Sequence, residues 1–417
     1  MAVTKEIGYF NAFVLKAANA SKTWHIEETR IKGGFNNTAL ELGVRAFLVD
    51  ENYAVERRKN AIIYSGIYNS KTGVNNLNQF SIGDNITKAV DIANGSIQKL
   101  YAEDTNLLIL QEDKVSRALI DKDAIFTAEG SPIKSTSNIV IGQIVPFLGK
   151  YGISNDPESF AIKGGMKYFT DKKRGVVIRL SRDGHTEISY YGMRSWFKNN
   201  LKTADKIVGM YDNVKDQYVV SLQNNSNYYT LGYDESSKGW VSFYSYKPSS
   251  GFTLNNVFYS FRDADLYTHY TSNNYNKFYE GNLNPYEESK VTLVINNTPS
   301  AVKVFKTLAY EGTNGWQAKN IITNDSGDKA FDVSQYNTSL DYDTPGLSSF
   351  NKKENKYSSY LKNNSDFGNN DILFAQEISG IKGMYVSIDL ETYVESGIQT
   401  SAKELFAVSS ETVLSSN

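Results

Sequence analysis

The 417-residue chain contains no cysteine. That removes disulfides, thiolate nucleophiles and thiolate metal sites together, and it rules out a small disulfide-stapled fold. Histidine is almost as scarce: His25, His185 and His269 stand more than 80 residues apart, without metal-ligand spacing. With no HExxH segment either, nothing nominates a zinc site. The patterns GxxxxGK[ST], GxGxxG and GxSxG are missing, so no P-loop, dinucleotide site or nucleophile elbow is indicated. No apolar run approaches the roughly 18 residues that a membrane-spanning helix requires. The 44 Lys+Arg and 46 Asp+Glu leave a formal charge of -2, and no global field draws the chain to nucleic acid or anionic lipid. At the N-terminus, IGYFNAFVL and Ala18-Asn19-Ala20 imitate a secretory leader. Glu6 offsets Lys5, Asn11 interrupts the apolar stretch and Lys16 sits beside the small residues, so the segment is not read as one.

What the chain has in abundance is aromatic: 29 Tyr and 21 Phe against 7 Pro and 5 Met. Such rings suit pleated, half-buried surfaces and subunit interfaces. The expected fold class is mainly β, built of antiparallel meanders that resemble β-propeller blades, with irregular arms and a few short helices. Four regions follow from the patterning. Residues 1–95 form an N-terminal arm and small mixed region, in which Ala61 to Tyr64 is a short strand and NITKAVDIANG a helical turn ending at Gly95. Residues 96–312 carry blade-like repeats, with an insertion near 121–165. Residues 313–370 are a polar Asn/Ser-rich arm, and residues 371–417 supply C-terminal strands and a tail.

Inside the repeat region, YFTDKKRGVVIRLSRDGHTEIS (Tyr168 to Ser189) crowds Asp171, Arg179, Arg182, Asp183, His185 and Glu187 together. Val176, Ile178 and Leu180 alternate with Val177, Arg179 and Ser181, the period of a strand. KKRG, ending at Gly175, and the Asp183-Gly184 pair read as hairpin turns. The charges then belong to strand ends and a polar face, with Arg179 and Glu187 as a cross-strand pair. A second pattern repeats: Tyr211-Asp212 precedes Tyr218-Val219, and Tyr233-Asp234 precedes Trp240-Val241, both Y-D-x5-[YW]-V. Each copy reads strand, turn, strand, with an aromatic closing the hairpin. Val177, Val219, Val257 and Leu293 recur at intervals of 42, 38 and 36 residues, a spacing that suits radial repeats.

Other residue patterns offer chemistry as an alternative to these structural readings. Ser181 to Thr186 resembles a sialidase Asp-box that lacks one residue between Asp and Gly. Carboxylate pairs Asp156 with Glu158, or Asp263 with Asp265, have the chemistry of glycoside hydrolysis. In a chain with 46 carboxylates such pairs arise by chance. Asp325, Asp328 and Asp332 could hold calcium, though not in EF-hand order. A carbohydrate-binding adhesin would use Trp196, Trp240 and Trp316 as stacking platforms; in a blade-core reading Trp240 closes a hairpin instead.

Longer segments carry a resemblance. NLLILQEDKV, YGISNDPESFA and KYFTDKKRGVVIRLSRDGHTEIS, with IKGGFNN and IYSGIYNSKTGVNNLNQFS upstream, are similar to the muzzle (distal tail structural) proteins of crAss-like and related tailed phages. The similarity spans roughly residues 24 to 246 and extends to podovirus tail nozzle proteins. It implies a virion tail protein without catalysis, made and assembled in the host cytoplasm. It further implies a ring, sixfold in that family, around the channel through which DNA leaves. The partners so implied are further copies, other tail and portal-proximal proteins, and DNA as a transient passenger, with no stable membrane insertion. The family supplies no catalytic, cofactor or metal residues to place on this chain.

Overall fold

A computed structural model describes residues 58–415, apart from 67, 79–85, 104–105, 127–131, 226, 280–286, 325–349, 362–379 and 393–400, together with the paired strands Asn11–Lys16 and Thr23–Thr29. Strands dominate, and among the described residues one α-helix occurs, α1, Arg194–Thr203. The chain divides into two compact units, Met1–Tyr267 and Thr268–Asn417. The break falls inside the 96–312 region.

The first unit is a succession of antiparallel meanders, each sheet using strands in chain order. Sheet one consists of Ile97–Glu103, Asn106–Gln111, Val115–Phe126 and Pro132–Pro146. Sheet two consists of Ala161–Lys163, Met166–Asp171, Val176–Ser181 and Gly184–Glu187. Sheet three holds Lys206–Asp212, Gln217–Asn224, Asn227–Asp234 and Gly239–Tyr244. Sheet four holds Ser250–Leu254, Val257–Arg262 and Asp265–Thr268. A smaller pair, Ala61–Ile63 with Thr87–Ala89, precedes them. The predicted helical turn near Gly95 is a single 3-10 turn, Ile92–Asn94, started by Asp91, whose carboxylate accepts from the Ala93 amide.

Sheet two is covered on both faces. Val176, Ile178 and Leu180 pack with Leu108, Leu110 and Val115 of sheet one. Val177 and Tyr168 pack with Tyr218, Val220 and Leu231 of sheet three. The alternation expected for Val176 to Ser181 is present, but the second face is a core rather than a solvated side, and each large side chain buried there contributes about 1.5–3 kcal/mol. Helix α1 joins that core through Phe197 and Leu201, four residues apart on one side of the helix.

The first strands of the four sheets converge. Lys99 and Tyr101, Ala161 and Ile162, Gly209 to Tyr211, and Gly251 to Thr253 line one cleft of about 440 Å³. Glycine permits the approach: a β-carbon on Gly209 would stand 1.9 Å from the Ser159 carbonyl oxygen, and one on Gly251 would stand 2.6 Å from Met210 Sδ. Val177, Val219 and Val257 lie on successive sheets of this series, whereas Leu293 belongs to the second unit.

The second unit pairs strands far apart in sequence. Val386–Thr392 runs between Lys290–Ile295 and Trp316–Thr323. Lys303–Phe305 lies between Ile381–Gly383 and Thr412–Leu414. Thr307–Gly312 lies between Lys356–Tyr360 and Leu405–Ser409, with Asn351–Lys353 at the edge. Phe305, Leu308, Tyr310, Trp316, Ile321 and Ile388 are among its buried core.

Two expectations require correction. The segment assigned to an insertion near 121–165 contributes most of a long hairpin: Lys134, Ser135 and Thr136 pair with Ala124, Asp123 and Lys122. Ladder hydrogen bonds come from the backbone, so polar residues there concealed a strand. The expected arm at 313–370 begins with a core strand holding buried Trp316, Ala318 and Ile321, and later contains a hairpin whose Tyr357 stacks on Tyr310 at 4.8 Å. In Lys356–Tyr360 only alternate residues are buried, which leaves a half-buried strand looking polar by composition. Asp325, Asp328 and Asp332 lie outside the described residues.

Candidate functional site

The hairpins that position the joints between sheets share one local design. Asp171, Asp212 and Asp234 each end a strand before a four-residue turn, and the carboxylate folds back onto turn amides. Asp171 accepts from Arg174 N at 3.0 Å, Asp212 from Val214 N at 2.9 Å and Asp234 from Ser236 N at 2.9 Å. The fourth turn residue is left-handed in each: Gly175 at φ 70°, Asp216 at 56° and Lys238 at 49°. An acidic side chain satisfying its own turn is the Asx device. Gly175 has a second reason to be glycine, since a β-carbon would meet Lys198 Cα of α1 at 2.8 Å.

The Ser181 to Thr186 hairpin differs from expectation. Ser181 pairs with Gly184, so Arg182 and Asp183 form the turn and Gly184, at φ 97°, opens the next strand. This element is a plain hairpin. Arg179 faces Thr186 in the ladder rather than Glu187. Its guanidinium pairs instead with Glu235 at 3.0 Å, while Glu187 accepts from the Tyr151 hydroxyl at 2.5 Å. The expected Arg179 to Glu187 pair is thus replaced by two links to other segments.

The joint between sheets two and three is aromatic. Tyr211 pairs with Tyr218 and Tyr233 with Trp240 across their hairpins. Tyr168 from sheet two stacks on Tyr218 at 4.9 Å and lies 5.7 Å from Tyr211. The Tyr168 hydroxyl donates to Glu235 at 2.8 Å, Tyr218 to Ser159 O at 2.8 Å and Tyr211 to Asp216 at 3.1 Å. Burial pushes the pKa of all three hydroxyls upward, and for Tyr168 and Tyr211 the acceptor carboxylate adds to that. They are held as neutral donors, which suits a fixed joint and not a nucleophile or base. Trp240 packs on Phe197 at 4.4 Å and donates through Nε1 to Ile188 O at 3.0 Å.

The joint between sheets one and two adds ionic links to its apolar packing. Asp171 is fully buried and accepts from Gly152 N, Ser154 Oγ, Arg174 N and, at 2.7 Å, Arg174 Nη1. Lys173 reaches Glu112 at 2.9 Å and Asp113 at 3.0 Å. Hydrogen bonds from Ser96 and Lys173 hold the Glu112 carboxyl down to about 2.

His185 sits beside this joint. Its ring lies near Phe147, Tyr151 and Phe169. Nδ1 donates to Leu148 O at 3.0 Å, since a carbonyl only accepts, and Nε2 is buried without a partner among the described residues. Of the other histidines, His269 is buried in the second unit near Tyr270, Phe278 and Tyr279, and His25 lies on the strand Thr23–Thr29. Among the described residues no group of three or more His, Asp or Glu side chains could hold a metal ion.

Glu158 pairs with Lys206 at 3.3 Å, and Asp263 occupies a left-handed turn position at φ 55°. Trp196 and Trp240 pack against Phe197, and Trp316 is a core residue of the second unit. No described helix is long and apolar enough to cross a membrane. The sequence pattern located the hairpin residues Gly175, Tyr211, Asp212, Tyr218, Tyr233, Asp234 and Trp240. It missed Tyr168, Glu235 and the buried Asp171 as joint residues, although Asp171 shares the aspartate-before-turn signal of the other two hairpins.

Residues 74–264 match the family of crassvirus muzzle proteins, and residues 273–364 match the crassvirus muzzle protein C-terminal domain. Together the matches cover about two thirds of the chain. The gap between them brackets the division of the structure at Tyr267 and Thr268. No curated protein matches the chain.

Proposed function

The chain belongs to the crassvirus muzzle protein family, whose members are structural proteins of the phage virion, and from that premise we propose that it builds the distal end of a short tail. In this reading identical copies close into a ring around the channel through which DNA leaves, in contact with other tail proteins and without catalysis. The observation that carries it is the agreement between two family matches and two compact units.

Physical features support it. A formal charge of -2 leaves no general attraction for passing DNA, each phosphate of which would otherwise add salt-dependent affinity that translocation must overcome. The sheets of the first unit meet through buried, neutral tyrosines and a fully paired carboxylate. Such joints favour a rigid wall.

Gold-labelled antibody against the full chain, applied to intact virions, tests the placement. Label confined to the tail tip is expected. Label on the capsid or at the head-tail junction would refute it.

A further inference from the structure

The joint between sheets one and two opens at one end into a cleft of about 700 Å³, within the range of small-ligand sites. No part of the structural role described above uses it. Its charge is unbalanced. Lys167 on its wall is paired with Glu103, but Arg117 and Arg182, both exposed, have no carboxylate partner among the described residues. Arg117 lies over the ring of Phe147, 5.9 Å from its centroid, and that ring also lines the cleft.

Its hydrogen bonding is unbalanced too. Asn106 Oδ1 and Ser181 Oγ belong to lining residues and find no partner among the described residues. An orphaned amide oxygen calls for a donor, and a hydroxyl can serve either way. Two uncompensated guanidiniums call for a carboxylate or similar planar anion, which they can grip in a bidentate manner. A ligand that supplies an anion and several hydroxyl donors on one compact frame meets every demand at once.

We infer that this cleft binds a short acidic saccharide, its carboxylate between Arg117 and Arg182 and its hydroxyls toward Asn106, Ser181 and Glu103. Tyr101 and Phe147 on the walls offer apolar faces for sugar rings. A phosphate polymer fits less well, because Glu103 would face successive negative groups, whereas sugar hydroxyls donate to it. The site is independent of ring formation, so either can fail without the other.

The test is isothermal titration of the full chain with trigalacturonate and with a sialyl trisaccharide, against maltotriose and tri-aspartate. At least one acidic saccharide should give saturable binding, and maltotriose and tri-aspartate should bind at least tenfold more weakly. Arg117→Gln and Arg182→Gln, both surface changes, should each weaken saccharide binding at least tenfold with melting temperature unchanged. Absence of binding by both acidic saccharides, equal binding by tri-aspartate, or full affinity in the two variants would overturn the assignment.

Discussion

Gly209 lies so close under Ser159 that a β-carbon added to it would stand 1.9 Å from the Ser159 carbonyl oxygen. The first strand of sheet three is pressed against the entry to sheet two, and only hydrogen fits. Gly209→Ala must therefore push the sheets apart, at a cost of about 3 kcal/mol or more. Gly165→Ala, on an exposed turn with nothing within 4 Å of the new carbon, should change stability by less than about 1 kcal/mol. Urea unfolding of the two variants checks this; equal stabilities would show that the sheets are not in contact there.

Asp171 makes four hydrogen bonds from a fully buried position. Asp171→Ala should destabilise by about 3–5 kcal/mol, because it leaves two backbone amides without their acceptor and Arg174 with Asp113 alone. The same unfolding measurement reads it. A loss below about 1 kcal/mol would mean that this carboxylate does not organise the joint.

Arg179 and Glu235 link sheet two to the last turn of sheet three at 3.0 Å, each about one-fifth exposed. A double-mutant cycle with Arg179→Ala and Glu235→Ala should give a coupling of about 1 kcal/mol. Replacing Glu187 in the cycle should give a coupling near zero, since Arg179 is not its partner.

His185 and Glu112 are two of the groups that contribute to the response to acid. Burial lowers the His185 pKa, offset in part by its bond to Leu148 O, so the unfolded chain takes a proton before the folded one does. Its contribution is fully present above the ordinary histidine value of about 6.5 and is lost as pH falls through the folded value. Glu112 is held down to about 2 from 4.5, so its stabilisation is present above 4.5 and lost as pH falls toward 2. Unfolding free energy should decline in these two windows. His185→Gln should flatten the upper window alone; an unchanged slope there would exclude His185 as its source.

Local chemistry was legible in the sequence, and contacts across sheets were not. The Y-D-x5-[YW]-V pattern identified Tyr211 with Tyr218 and Tyr233 with Trp240 because both ends of each hairpin lie within eight residues of one another, and register follows from the turn. The Asp183-Gly184 turn was misplaced by one residue because a lone Gly satisfies the positive φ from either side of the loop. Tyr168 and Glu235 are 67 residues apart, and nothing in either segment names the other. The same holds for Arg179, which looked like the neighbour of Glu187 until sheet three supplied Glu235. Lys356–Tyr360 was hidden for a different reason: a strand buried on one face needs only alternate apolar residues, and its Ser and Lys content masked them.

Ring formation is the central claim, and the mass of the full chain in solution tests it most directly. Mass photometry over a concentration series, alone and with isolated tail proteins, should resolve a discrete closed species whose mass is a whole multiple of the 46.7 kDa chain. A particle that remains at 46.7 kDa under every condition would contradict the account.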